Sequence, residues 1–167
     1  VPGRPPDIAA FAELLSPIDV AGQARYIYSY IHELTGNEVA AFLEQLKDDP
    51  KGRCSQYVSA FRMVGMKGFA RWEKWHDLDP KKPPDGILKT NTGQKSSLDG
   101  MGVFKNVPHQ SRIYHCTEPG GLIVLLTVYT GKNEDDLTAD AINPALRSRE
   151  EYKRRKTQLI ARRPVTK

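Results

Sequence analysis

Residues able to handle protons or charge are scattered along this chain. Histidines stand at His32, His76, His109 and His115, and cysteines at Cys54 and Cys116. An imidazole can give or take a proton near neutral pH. His109, in a proline-containing turn just ahead of Arg112, is the best placed of the four for acid or base work. Arg112 begins the alternating run Arg112-Ile113-Tyr114-His115-Cys116. As a strand it sends Ile113 and His115 to one face and Arg112, Tyr114 and Cys116 to the other. One face can then pack on helices while the other presents cationic and hydroxyl groups.

Other chemistries find no motif. The chain has no glycine-rich phosphate loop with its lysine, no GxSxG elbow, no HExxH and no CxxC. Glu134-Asp135-Asp136 could attract a cation, but such a cluster also serves as a solvated face or a helix-dipole partner. No metal and no cofactor is expected. The two cysteines are far apart in sequence, as reduced core or sheet residues would be.

The elements that must position these groups centre on Leu98 to Tyr129. Three strand-like runs, 98–105, 111–116 and 122–129, are separated by short breaker-rich turns, a pattern that predicts an antiparallel β-meander. The third run, Leu122-Ile123-Val124-Leu125-Leu126-Thr127-Val128-Tyr129, is apolar almost throughout and suits a strand covered on both faces. Ile87-Leu88-Lys89 could add a short edge strand.

The N-terminal half reads as helical. A short helix is expected after Asp7, with Ile8, Phe11, Leu14 and Leu15 on one side. Ser16-Pro17-Ile18-Asp19 has the form of a helix start, followed by Ile27, Tyr30, Ile31 and Leu34 at helical spacing and a stop at Gly36. Asn37 can cap the next helix, whose stripe is Val39, Phe42, Leu43 and Leu46. A longer helix is expected from about Lys51 to Leu78, carrying Trp72 and Trp75 on its apolar face as core residues. The last helix starts at Asn143-Pro144, or earlier at Asp136 or Thr138 with a kink at Pro144, and runs to about Ile160. Its apolar content is low, limited to Ala145, Leu146, Tyr152, Leu159 and Ile160, which predicts an exposed helix or one packed on a partner. No internal repeat is visible.

Charge is uneven. Residues 1–84 hold 11 Lys/Arg and 11 Asp/Glu, whereas residues 85–167 hold 14 and 9, so the net +5 lies in the second half. From Arg147 to Lys167 there are nine cationic residues against Glu150 and Glu151. That excess favours a polyanionic partner. A chain of 167 residues can bury a core without staples. No apolar run is long enough to span a membrane and the first residues carry no hydrophobic signal, so a cytoplasmic protein without membrane contact is expected.

From Leu98 to Lys153 the chain resembles the RelE/HigB toxin superfamily, including its phage-derived HigB-like members. The resemblance is carried by Leu98-Asp99-Gly100 leading into Val103-Phe104-Lys105, by Arg112-Ile113-Tyr114, by the apolar strand ending at Tyr129, and by Lys132. The closing segment Ala145-Leu146-Arg147-Ser148-Arg149-Glu150-Glu151-Tyr152 matches as well. The helical pair from Asn37 to Leu78 sits where that family has its helical hairpin.

The resemblance implies an α+β fold with N-terminal helices, an antiparallel three- to four-stranded meander and a C-terminal helix, with helices on one sheet face and an open basic face opposite. It divides the chain into a helical extension (1–36), a toxin-like domain (37–160) and a basic tail (161–167). It implies a metal-independent, ribosome-dependent mRNA endoribonuclease of a toxin–antitoxin pair, held inactive by a protein antitoxin. Arg112 would clamp the phosphate through its planar, bidentate donors. Lys105 would hold the phosphate or accept a proton, with His109 as the acid or base. Lys89, Lys132, Arg147, Lys153 and Arg154 would contact RNA or the ribosome. Alternatives are a ParE-like gyrase inhibitor, which binds without catalysis, and a non-toxic module binding nucleic acid or protein.

Overall fold

The computed structural model describes residues 11–18, 27–50, 52–67, 75–77, 100–106, 111–118, 122–130 and 139–162. Within them the chain is α+β. Its elements run β1 (Leu15–Pro17), β2 (Ile27–Tyr30), α1 (Glu38–Gln45), α2 (Arg53–Lys67), β3 (Trp75–Asp77), β4 (Met101–Asn106), β5 (Ser111–Glu118), β6 (Leu122–Thr130) and α3 (Ala139–Ala161).

One sheet holds all these strands in the order β1-β2-β6-β5-β4-β3. Neighbours from β3 to β6 pair antiparallel, as do β1 and β2. β2, however, runs parallel to β6, with Ile27 opposite Ile123 and Ser29 opposite Leu125. The sheet is therefore mixed and wider than the three- to four-stranded antiparallel one expected from sequence. Two of its strands come from residues 15–17 and 27–30, inside the segment expected to be a separate helical extension.

The helix expected after Pro17 is replaced by β1, β2 and a turn. Ile27 and Tyr30 are buried in different clusters on opposite faces of the sheet, and Leu34, expected on the same helical stripe, is 94% exposed. Ile27-Tyr28-Ser29-Tyr30 is a β-branched and aromatic run with a pairing partner on each side, and that tertiary context outweighs its helical spacing. Pro17 ends an edge strand rather than starting a helix, a position where its missing N–H is tolerated. Phe11 to Leu14 form a single turn, closed by Leu14 N–H donating to the Phe11 carbonyl at 2.8 Å.

The α1 start follows the sequence. Gly36 adopts φ +74°, a conformation that suits glycine, and the Asn37 side chain accepts from Ala40 N–H at 3.0 Å. α2 is described from Arg53 to Lys67, and Trp75 lies in β3 opposite Phe104 instead of continuing the helix. Trp72, the Ile87-Leu88-Lys89 run and the proline-rich break around Pro83 lie outside the described residues.

Both faces of the sheet are covered. On one, α1 and α2 bring Val39, Leu43, Tyr57, Phe61 and Val64 against Ile27, Phe104, Ile113, Ile123 and Leu125. On the other, α3 lays Ala141, Ile142, Ala145, Leu146 and Tyr152 on Met101, Val103, Tyr114, Cys116, Val124 and Leu126. Helices on one face only, and a largely exposed last helix, are thus both corrected. α3 begins at Ala139 and carries Pro144 within it, so Ala141 and Ile142 join the apolar stripe. Two alanines in that stripe allow close approach to the strands. From Leu122 to Leu126 every residue of β6 is buried, as expected of a strand covered on both sides.

Candidate functional site

Strand register assembles the first half of the site. On β4 and β5, Lys105 lies opposite Arg112, and Arg112 lies opposite Tyr129 of β6. Cross-strand partners share a face, so Arg112 and Tyr129 form one row, with Lys105 at the register position on the other side of Arg112. Tyr114 opposite Thr127 forms the next pair on that face. The register then shifts: His115 faces Leu125, leaving Leu126 as an extra residue on β6. A bulge of this kind re-aims the residues beyond it. It turns Thr127 and Tyr129 to the side shared by Arg112, Tyr114 and α3.

This row is not an open surface. Arg112 is 7% exposed and Tyr114 is fully buried. Burial raises the Tyr114 phenol above its usual value of 10; the neighbouring Arg112 opposes that rise and Tyr129 adds to it. The three polar ends therefore lie within electrostatic reach of one another. The Tyr114 hydroxyl has no hydrogen-bond partner among the described residues.

The second half is built by the turn between β2 and α1. His32 and Gly36 pair as an isolated bridge, with His32 N–H donating to the Gly36 carbonyl at 2.8 Å and Gly36 N–H returning to the His32 carbonyl at 3.1 Å. The imidazole folds back over this turn. Its Nδ1 lies 3.1 Å from the Gly36 carbonyl oxygen and its Nε2 lies 2.9 Å from Ser148 Oγ on α3. A carbonyl can only accept, so Nδ1 carries a proton, and in the neutral ring Nε2 accepts from the Ser148 hydroxyl. Glu38, the first residue of α1, places Oε2 3.8 Å from the same Nε2. Thr127 Oγ1 donates to Glu38 Oε2 at 2.6 Å and Thr35 Oγ1 donates to Oε1 at 2.8 Å. Both carboxylate oxygens are thus held by hydroxyls, and a negative charge here is favoured by the start of the helix. The Glu38 side chain is 33% exposed and that of His32 is 9%.

Thr127 joins the halves: it holds Glu38, and it is two residues from Tyr129, the partner of Arg112. Successive pairs on one face are separated by roughly 7 Å, so Glu38 is tied to the same stretch of β6 that carries the partner of Arg112.

The basic helix is largely tied to the fold. Arg155 donates to the Ile31 carbonyl at 2.7 Å and to Tyr30 Oη at 3.0 Å, while Tyr30 donates to Glu151 Oε2 at 2.5 Å. Lys156 pairs with Glu118 at 2.6 Å and Arg154 with Glu33 at 3.4 Å. Arg147 is exposed and Lys153 half-buried. Tyr152 is fully buried with its ring edge-on to Tyr30, a packing role, and burial raises its phenol.

Of the residues expected from sequence, Lys105 and Arg112 are brought together, and Arg147, Lys153 and Arg154 lie along α3. The open, basic sheet face is corrected, because α3 and its apolar stripe occupy the face that Arg112 shares. His109, Lys89 and Lys132 lie outside the described residues. Sequence reasoning missed His32, Glu38, Thr127 and Ser148. The Gly36-Asn37 turn-and-cap pair signals that Glu38 begins a helix, but nothing local connects it to Thr127 or Ser148.

Among the described residues no group of three or more His, Cys, Asp or Glu could hold a metal ion, and no helix is long and apolar enough to cross a membrane. Comparison with protein-family models, with curated proteins and with solved structures gave no match in any of the three.

Proposed function

We propose that this chain is a toxin-type endoribonuclease that cuts translated mRNA without a metal and is held in check by a protein antitoxin. The reading rests on strand register: Arg112 lies opposite Tyr129 on β6, and Lys105 is its register partner on β4. Cleavage by a ribose 2′-hydroxyl needs cationic groups where charge builds on the phosphate, and fixed guanidinium and ammonium donors supply that stabilisation. Arg112 offers two parallel donors to a phosphate and Lys105 a point charge beside it. Arg147, exposed on α3, and Lys153 and Arg154 beside it are the RNA or ribosome contacts in this reading.

The test is regulated expression of the wild type and Arg112→Ala in growing bacteria, with growth and the 5′ ends of mRNA followed in the same cultures. Arrest accompanied by new cuts in translated messages, both lost in the variant, is the expected outcome. Growth without arrest in both cultures overturns the reading. One observation favours a second one: Arg112 is 7% exposed, which suits a binding protein, such as a ParE-like gyrase inhibitor, in which this arginine is structural. Arrest without mRNA cleavage selects that alternative.

A further inference from the structure

We infer that Glu38 is the proton acceptor of the RNA-cleaving site and that His32 is its positioning residue; the inference rests on the endoribonuclease reading above. The cationic row can stabilise a phosphate, but Lys105 and Arg112 are poor acceptors for the 2′-hydroxyl proton while charged. A base must be oriented and reachable. Glu38 combines these properties: its carboxylate is partly exposed, and its two oxygens are fixed separately by Thr127 and Thr35. Through Thr127 it is anchored to the strand and face that carry Tyr129 and, opposite it, Arg112. The buried Tyr114 hydroxyl, beside the Arg112 guanidinium, is on that face and lies opposite Thr127.

His32 does not reach substrate. Its ring is nearly buried, with Nδ1 on the Gly36 carbonyl and Nε2 on Ser148, so it sits behind the carboxylate and limits where Oε2 can move. In the step itself, the 2′-hydroxyl proton passes to Glu38 as the O2′–P bond forms and the P–O5′ bond breaks. The departing 5′-oxygen takes a proton from water, and Glu38 returns its proton to solvent. The products are a 2′,3′-cyclic phosphate and a 5′-hydroxyl end, and no other reactant is consumed.

The test adds purified full-length protein to translating bacterial ribosomes on a defined message, with cut ends mapped by primer extension across a range of pH. Glu38→Gln is expected to slow cutting by about 10²- to 10⁴-fold, the usual loss for a general base. The wild-type rate should fall toward acid pH and the Glu38→Gln rate should stay flat. His32→Gln should lower the maximal rate less than Glu38→Gln while leaving the ribosome concentration at half-maximal rate and the urea midpoint unchanged, a split that a merely structural histidine would not produce. If Glu38→Gln fails to fold, Glu38→Asp decides, since it keeps the charge and withdraws it by one methylene: a tenfold or greater loss with the acid fall retained is expected. Cutting by a folded Glu38 variant within threefold of wild type overturns the inference and leaves the endoribonuclease reading standing. No cutting by the wild type overturns that reading, and this inference with it.

Discussion

The two faces of the sheet are packed by helices in different ways. Against α1 and α2 the contact is apolar, with Phe61 edge-on to Phe104 at 5.0 Å and stacked on Tyr57 at 6.2 Å. Its polar groups are few: Tyr57 and Ser111 bond each other through their hydroxyls at 2.7 Å, and His115 is buried beside Phe104. Against α3 the apolar stripe is bordered by Arg112, Tyr114, Arg149, Tyr30, Glu151, Ser148 and His32. Burying polar groups costs free energy unless they are paired. A fold that needed only stability would make both interfaces like the first. The concentration of charge and hydroxyls on the α3 side is therefore where a function is to be sought, and the α1/α2 side supplies the rigid support.

The largest expected effect tests the support. Phe61 is completely buried between α2 and the sheet. Phe61→Ala should cost about 3–5 kcal/mol through lost burial and the cavity left behind, read as a lower midpoint in urea unfolding. A cost below about 1 kcal/mol would show that the dry face is not the main source of stability and would erase the contrast between the two faces.

Acid pH gives a second test of the same side. Desolvation pushes the His115 imidazole down to about 3, against an ordinary value of 6.5. The folded value lies below the unfolded one, so the native state binds fewer protons than the unfolded chain. The stabilisation is fully present above pH 6.5 and is lost as pH falls from there toward 3. His115→Gln should flatten the fall in unfolding free energy between pH 7 and 5, where carboxylates change little. An unchanged slope would mean that His115 is open to water in solution.

The parts of this architecture legible in the sequence are those set by local chemistry. Breaker-rich turns bounded β4, β5 and β6, period-two alternation marked β5, a nearly unbroken apolar run marked β6, and the Gly36-Asn37 pair marked the start of α1. β1 and β2 were illegible because Ile27, Tyr30, Ile31 and Leu34 satisfy helical spacing while the parallel partner that makes a strand of them, β6, lies nearly a hundred residues away. α3 was misjudged for a related reason: of the two starts the sequence offered, the one at Pro144 leaves out Ala141 and Ile142, two of the five buried apolar residues that dock it, and the earlier one includes them. In the candidate site, Lys105 and Arg112 could be paired by counting along two adjacent strands. Glu38, His32, Thr127 and Ser148 come from a turn, a helix start, a post-bulge strand position and the middle of α3. No spacing rule links such positions; the bulge that turns Thr127 inward is visible only in the register.

The smallest expected effect probes the polar side. Tyr30 is completely buried, its hydroxyl donates to Glu151 at 2.5 Å, and Arg155 donates to it at 3.0 Å. Desolvation, then the bond to Glu151, raises this phenol above its usual value of 10, so it remains a donor at any pH where the protein is handled. Tyr30→Phe removes the hydroxyl while preserving the edge-on ring contacts to His32 and Tyr152. Glu151 then loses a donor, and Arg155 keeps its bond to the Ile31 carbonyl. Hydrogen bonds to charged groups contribute about 1.5–3 kcal/mol, so the loss should fall near the lower end, with Glu151 free to turn toward water. If Tyr30→Phe unfolds at the same urea concentration as wild type, the network around α3 contributes no net stability. The polar face would then be held in place by its apolar stripe alone, and its charged groups would need another reason to be there. A loss of the expected size would instead show that pairing offsets their burial.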